Sequence, residues 1–544
     1  MFVCEKVARG HRYLYLVESV REGKRVRQRT IRALGRKDAL HASGELDRLI
    51  ASLARHSERA MVLSDMEAGR LACIRIGGPL LFGRLWERLG LGGVVNDLLD
   101  GRAFEFAVER AVFVSVLHRL FVSGSDRSCE KWMVDYAIPG VDGLRLHHLY
   151  RAMAWLGEEV EPVGEGDLAP RCVKDLIEER LFERRRDLFT DLSLVFMDTT
   201  TLSFHGAGGE SLGAHGHSKD HRPDLRQMVL AVVLDGEGRP VCTEMLAGNV
   251  ADMTVLLPVV ERLRERFGIG RVCVVADRGM ISAATIAALE ERGLDYILGA
   301  RERGTAAVRE IVLKNERPFV PLRIERGRGD TQLFVKQVTV HGARYIVCRN
   351  EAEAEKDRAV RQAIVANLEK RLSGGDKALV GNAGWRRYLR RTGTGKAFEI
   401  DAGKLAEEAR FDGIFVLRTN AGMTPLNAVL RYRELLLVED LFRRAKVQLR
   451  TRPIYHSCDA AIRGHVFCSF LALVLQKELA DLCRCHEVSV EWDDLIRDLD
   501  RLQEATIEKD GKRVTTRTHV EGQVGRVFQA AGIALPANWY EQPA

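Results

Sequence analysis

The feature that most constrains this chain is a change of hydrophobic period near residue 192. Between residues 38 and 190, apolar residues recur at helical spacing, as in "FEFAVERAVFVSVLHRLFVSG" and "LHHLYRAMAWLGE", with breaks at "GSDRS" and "IPGVDG". Beyond 192 the apolar runs shorten and glycine-rich polar turns separate them. "LSLVFMDTTTLS" reads as a strand, and "RQMVLAVVLD" and "PVCTEMLA" flank the turn "GEGR" as a hairpin. "ADMTVLLPVVERLRERFG" then has helical periodicity and a stop at Gly268, followed by strand "RVCVVAD", helix "SAATIAALEERG" and strand "DYILGA". The order β-β-β-α-β-α-β predicts an α/β core with an antiparallel start and helix-linked strands after it.

Two aspartates stand out against this pattern. Asp198 follows four apolar residues on the first strand, and Asp277 ends the fourth in "VVADRGM". If those strands are neighbours, both carboxylates emerge near one edge; each alone fits a turn or cap role equally well. A third carboxylate comes from 424–449, which reads as one long helix with Thr424 as N-cap and Pro425 at its first position. A step of seven residues is close to two turns, so Tyr432, Glu439 and Lys446 share a face, with Lys446 roughly 10 Å beyond Glu439. A charged surface stripe would have the same spacing. Three converging carboxylates suit hard divalent cations such as Mg²⁺, which take oxygen ligands; two such ions can hold the attacking and leaving oxygens of a phosphodiester displacement.

Charge adds a partner class. The chain has 544 residues and a formal net charge of only +7, but ten Lys/Arg against three Glu fall within residues 1–36. There "YLYLVESV" and "RVRQRTIRAL" flank "REGK" as part of a β-meander, with Arg25, Arg27 and Arg29 in a row on one strand face. A second cluster, "GWRRYLRRTGTGK", places Trp385 beside Arg386 and Arg387, and a third is "FRRAKVQLRTR". Basic residues with aromatics suit a phosphate backbone and stacked bases, while any single cluster also fits a solvated face. Trp385 reads equally as a core residue of its domain. Eleven cysteines without CxxC pairs, and a start without a basic leader and apolar core, point to a reducing cytoplasm. The apolar run "HVFCSFLALVLQ" is shorter than the roughly 20 residues of a membrane span and reads as a buried helix, so no membrane partner is expected.

Together, "MDTTTLSF", "GHSKDHRPDLRQ", "AGNVADMT", "VVADRGM", "DGIFVLRTN" and "YRELLLVEDLFRRAKVQLRTRPIYHSCDAAIRGHVFCSFLAL" resemble a DDE transposase of a bacterial insertion sequence, in the superfamily of insertion sequence four and the group of insertion sequence sixteen-thirty-four. The resemblance covers about residues 192–475. It implies an RNase H-like catalytic core that cuts and joins double-stranded DNA at the element's terminal inverted repeats and inserts it into target DNA, with two Mg²⁺ or Mn²⁺ ions. It assigns the catalytic and metal-holding roles to Asp198, Asp277 and Glu439, and DNA contacts to Tyr432 and Lys446. The superfamily's arginine between Tyr432 and Glu439 is replaced by Leu435.

The expected layout is a basic DNA-binding β-meander at 1–37 and a helical DNA-binding or dimerisation region at 38–190. The core's first part follows at 191–300, a β-rich insertion at 301–423 and the core's second part at 424–476. A helical C-terminal region at 477–544 completes it. A homodimer on DNA and a cytoplasmic, nucleoid-associated location complete the expectation. A stand-alone nuclease on the same core, or a non-catalytic DNA-binding relative, would share the motif order. "HGHSKDH" reads as a loop lining the active site or DNA channel, because no cysteine partners its histidines at zinc spacing.

Overall fold

The computed structural model describes residues 1–22, 25–54, 56, 70–161, 169–185, 194–269, 272–280, 282–300, 308–324, 331–372, 388–391, 398–509 and 512–542. They fall into two compact units, residues 1–77 with 497–525 and 534–544, and residues 78–496 with 526–533.

The smaller unit begins with the expected meander, antiparallel strands Phe2–Ala8, His11–Glu22 and Arg25–Arg36. Its second sheet corrects an expectation. The C-terminal region is not simply helical: strands Gln503–Lys509, Lys512–Arg517 and Trp539–Gln542 pair in sequence, and the first also pairs with Arg70–Arg75. The β-branched residues of "ATIE" and "VTT" carry that signal, and Thr506 and Thr515 exchange a hydroxyl hydrogen bond of 3.0 Å across the strands.

The larger unit is built on one mixed sheet. Its strands in chain order are β1 (Leu194–Ser203), β2 (Gln227–Asp235), β3 (Pro240–Ala247), β4 (Cys273–Ala276), β5 (Asp295–Gly299), β6 (Val320–Ile324), β7 (Thr331–Val340), β8 (Ala343–Asn350) and β9 (Ile414–Thr419). Across the sheet they run β6-β7-β8-β9-β5-β4-β1-β2-β3. β1, β2 and β3 form the expected antiparallel meander, whereas β4 is parallel to both β1 and β5. Strands buried on both faces explain the near-continuous apolar runs of β2 and β4.

Within the region 301–423, strands β6 to β9 continue the main sheet, and a helix, Glu351–Leu372, lies between β8 and β9. The segment "TQLFVKQVTVHGARYIVCRN" alternates like a hairpin with "HGAR" at its turn, and His341 and Gly342, with φ of 48° and 80°, form the two-residue turn between β7 and β8. Positive φ at both positions matches the twist of the strands they join.

Helices pack on the sheet and on one another. The helix Asp459–Cys485 contains the run "HVFCSFLALVLQ" almost wholly buried, and among the described residues no helix is long and apolar enough to cross a membrane. It packs against helices Leu146–Leu156 and Val108–Phe121. A Cβ at Gly464 would lie 1.9 Å from the Met153 carbonyl oxygen, so only glycine permits that approach.

A buried ionic cluster ties three elements together beside β3. Arg266, on helix Asp252–Phe267, reaches Glu178 at 2.7 Å, Glu179 at 2.8 Å, Asp175 at 3.1 Å and Glu244 at 3.2 Å. Lys174 adds contacts of 2.7 Å to Asp175 and 2.8 Å to the Thr243 carbonyl. The acids come from helix Val173–Arg185 and β3, so one guanidinium fixes the helix that begins at Asp252 against both. Removing one partner of such a network leaves desolvated charge uncompensated. We therefore expect Arg266→Ala to destabilise the larger unit by about 3–5 kcal/mol. Urea unfolding of parent and variant measures this, and a destabilisation of less than about 1 kcal/mol, the value of a surface pair, contradicts it.

Candidate active site

The register of β1 and β4 sets the site. Cys273, Val274, Val275 and Ala276 pair with Leu194, Val195, Phe196 and Met197, so the next residue of each strand is an aspartate, Asp277 beside Asp198. β4 ends there, while β1 continues to Ser203 against β2. Asp198 therefore lies where its parallel neighbour stops, and this is why a carboxylate occurs inside an otherwise buried strand. Met197, Thr199 and Thr200 around it are all buried.

The Asp198 carboxyl is 17% exposed and accepts a 2.7 Å hydrogen bond from the Thr199 amide. Burial pushes its pKa up to about 6, opposed by the Lys219 ammonium and reinforced by the charges of Asp277 and Asp252. Asp277 accepts a 3.2 Å hydrogen bond from the Tyr432 hydroxyl, so this aspartate is oriented from the helix side.

Lys219 and Asp252 join the site without having been singled out by sequence, although the motifs containing both stand out there. Lys219 Nζ donates to the Thr199 carbonyl at 2.6 Å and to Thr199 Oγ1 at 2.7 Å, and lies 3.3 Å from Asp252 Oδ2 and 3.8 Å from Asp198 Oδ1. Thr199 Oγ1 donates in turn to Asp252 Oδ1 at 2.8 Å. The signal that could have found them is a lysine and an aspartate in polar loop segments that flank the β2–β3 hairpin on either side.

The single long helix expected at 424–449 is interrupted. Pro425–Arg433 is capped by the Thr424 hydroxyl, as expected, but Glu434 and Leu435 form a tightened turn before Leu436–Arg443, and a wider π turn spans Arg444–Gln448. Leu435 is buried, which explains why an apolar residue stands where an arginine was expected. Leu436–Arg443 packs on β1, and Glu439 on it is exposed, its side chain without a hydrogen bond or ion pair among the described residues. Lys446 donates to Asp220 at 3.0 Å, and Arg452 pairs with the same carboxylate. Burial lowers the Lys446 pKa, against the pull of Asp220.

The structure thus brings Asp198, Asp277 and Tyr432 together and holds Lys446 through a loop acid. Arg27 and Arg29 lie exposed in the smaller unit, Arg29 paired with Glu18. The side chain of Arg25, and residues Trp385, Arg386 and Arg387, lie outside the described residues.

A second cluster of possible ligands, Asp126, His456 and His465, has its ligand atoms within 4.8 Å of one another. Its histidines are already engaged. His465 accepts from Arg119 at 3.0 Å through Nδ1 and faces the Thr451 carbonyl at 3.3 Å through Nε2, while His456 lies 3.3 Å from Asp126. The cluster is a hydrogen-bonded link between helices.

The raised pKa of Asp198 has a consequence for stability. A folded state that holds a proton more tightly than the unfolded chain gains stability at low pH and loses it as pH rises through the folded value. With the Asp198 pKa moved from 3.8 to about 6, that decline spans this interval. In chelator-treated protein, the stability of Asp198→Asn relative to the parent should rise with pH across it, by at most about 3 kcal/mol. Denaturant titrations at stepped pH test this, and a difference constant with pH contradicts it.

Comparison with known proteins adds family membership. Residues 4–67 match the IS1634 family transposase N-terminal domain, and residues 190–475 match the transposase DDE domain. No curated protein matches the chain. Among solved structures, the piggyBac transposase in a synaptic complex with hairpin DNA is similar at 11% identity over 78% of each chain, with a TM-score of 0.35. With the DDE domain spanning more than half of the 544 residues and the N-terminal domain preceding it, the chain belongs to the DDE transposases, in the IS1634 group.

Proposed function

We propose that this transposase cleaves and rejoins DNA at the ends of its element by metal-dependent phosphodiester chemistry, with Asp198, Asp277 and Glu439 as the metal-holding carboxylates. The observation that carries this reading is the side-by-side register of Asp198 and Asp277 at the ends of paired parallel segments, on a sheet whose β3-β2-β1-β4-β5 order fits an RNase H-like core.

The donor set suits a hard cation. Both strand carboxylates offer oxygen only, as Mg²⁺ and Mn²⁺ require, and the burial that raises the Asp198 pKa is a cost that a bound cation relieves. Two such ions would supply activation of a water or a 3′-hydroxyl and stabilisation of the leaving oxygen. The chain's own groups do the positioning. Tyr432 fixes the Asp277 carboxylate, and Glu439 comes from a helix seated on β1 with its side chain open to solvent. Lys446 is held by the loop carboxylate of Asp220 and is placed to exchange it for a DNA phosphate. Joining both element ends in concert needs two such sites, so the DNA-bound form is a homodimer on the terminal inverted repeats.

Full-length protein incubated with Mg²⁺ and labelled duplex carrying the source element's ends tests the reading. We expect cleavage and strand transfer by the parent, both reduced by at least about a thousandfold in Asp198→Asn, Asp277→Asn and Glu439→Gln, with end binding retained, because these changes remove metal ligands rather than phosphate-binding groups. Cleavage without joining would instead make the protein a nuclease on the same core. Activity retained in any one of the three variants removes that residue from the site.

The arginine row of the N-terminal strand has a separate expected role at the element's ends. Replacing Arg25, Arg27 and Arg29 by alanine should weaken end binding and reduce the salt slope by about one for each DNA phosphate that is no longer neutralised. Binding measured across a salt series checks this; equal affinity of parent and variant at every salt concentration transfers end recognition to another surface.

A further inference from the structure

Lys219 is an unusual cation to find at a carboxylate centre, because its three N–H donors are already assigned. Two go to the carbonyl and hydroxyl oxygens of Thr199, at 2.6 and 2.7 Å, and the third faces Asp252 Oδ2 at 3.3 Å. None is committed to Asp198, whose nearest oxygen is 3.8 Å away, so the ammonium acts on that carboxylate through charge alone.

The lysine is also fixed from its backbone. Its amide donates to Thr201 Oγ1 at 3.1 Å, the Ser218 hydroxyl before it accepts from the amides of Asp220 and Arg222, and Asp220 after it is held by Lys446 and Arg452. Asp252, the first residue of its helix, is held in turn by the Thr199 hydroxyl, and the Arg266 cluster lies on the same helix. A surface lysine swings away from an arriving cation at little cost. This one gives up two hydrogen bonds to Thr199 and an ion pair with Asp252 to do so.

We propose that Lys219 is a resident counter-cation that competes with divalent ions for the field of Asp198 and keeps their affinity low until DNA enters the site. The proposal rests on the reading of Asp198 as a metal ligand. An ammonium about 4 Å from a ligand oxygen repels a dication there and already supplies part of the charge balance that the ion would bring. Asp220 gives DNA a route to relieve that competition. Phosphate oxygens that draw Lys446 and Arg452 away from Asp220 loosen the loop next to Lys219, so that tight metal binding coincides with substrate. The class of regulation is therefore substrate-coupled metal loading, which restrains cutting by the free enzyme.

Isothermal titration of full-length protein with Mn²⁺ in the absence of DNA tests this, with thermal unfolding of each variant as the folding control. Lys219→Met and Lys219→Gln should each bind Mn²⁺ more tightly than the parent, by roughly tenfold or more, and Lys219→Arg, which keeps the charge, should stay within about threefold of it. Asp198→Asn should remove this binding in every background. If Asp198→Asn leaves Mn²⁺ binding unchanged, the assignment of Asp198 as a ligand fails. If Asp198→Asn abolishes binding but both neutral Lys219 variants bind Mn²⁺ as the parent does or more weakly, the lysine only props the loop and the counter-cation role is overturned.

Discussion

The parallel pairing of β1 with β4 is the constraint on which the site depends. Four register pairs, from Cys273 with Leu194 to Ala276 with Met197, bring Asp277 beside Asp198 without any long side chain having to reach. Because the side-chain period of a strand is two, a slip of one residue would turn one carboxylate to the opposite face of the sheet. The surrounding apolar residues prevent that slip. Val195, Met197, Val274 and Ala276 all lie in one buried cluster, so register and core packing impose the same alignment.

Charge is arranged in two layers around that pairing. Deeper in the unit, Arg266 and Lys174 pair with four acids and lock helix Asp252–Phe267 to β3 and to helix Val173–Arg185. At the other end of the same helix, Asp252 holds Lys219 beside Asp198. The buried layer thus fixes the position of a charged group beside Asp198. Carboxylates close together and partly desolvated are costly in isolation, which is why a cation, from the protein or from solution, belongs among them.

Much of this was legible from residue pattern. The strand and helix order from 192 to 300, the turn at His341–Gly342 and the cap at Thr424 all followed from local chemistry, because each rests on neighbours in sequence. What was missed depends on distant partners. The break at Glu434–Leu435 arises where the helix passes from packing on β4 and β5 to packing on β1, and a uniform 3.6-residue period carries no trace of it. Of the C-terminal strands, Gln503–Lys509 pairs with Arg70–Arg75, more than 400 positions away, so its short alternation lacked a visible partner. Lys219 and Asp252 were hidden for the same reason. Their roles come from Thr199, on β1, and no spacing rule links the three.

The central claim is that Asp198, Asp277 and Glu439 hold divalent ions at one centre. Anomalous diffraction from crystals of the full-length protein bound to element-end DNA and soaked in Mn²⁺ measures this most directly. The account predicts Mn²⁺ peaks within about 2.0–2.3 Å of oxygens from both strand aspartates and from Glu439. Manganese bound only elsewhere, for example at Asp126 and His456, with no peak between Asp198 and Asp277, would contradict it.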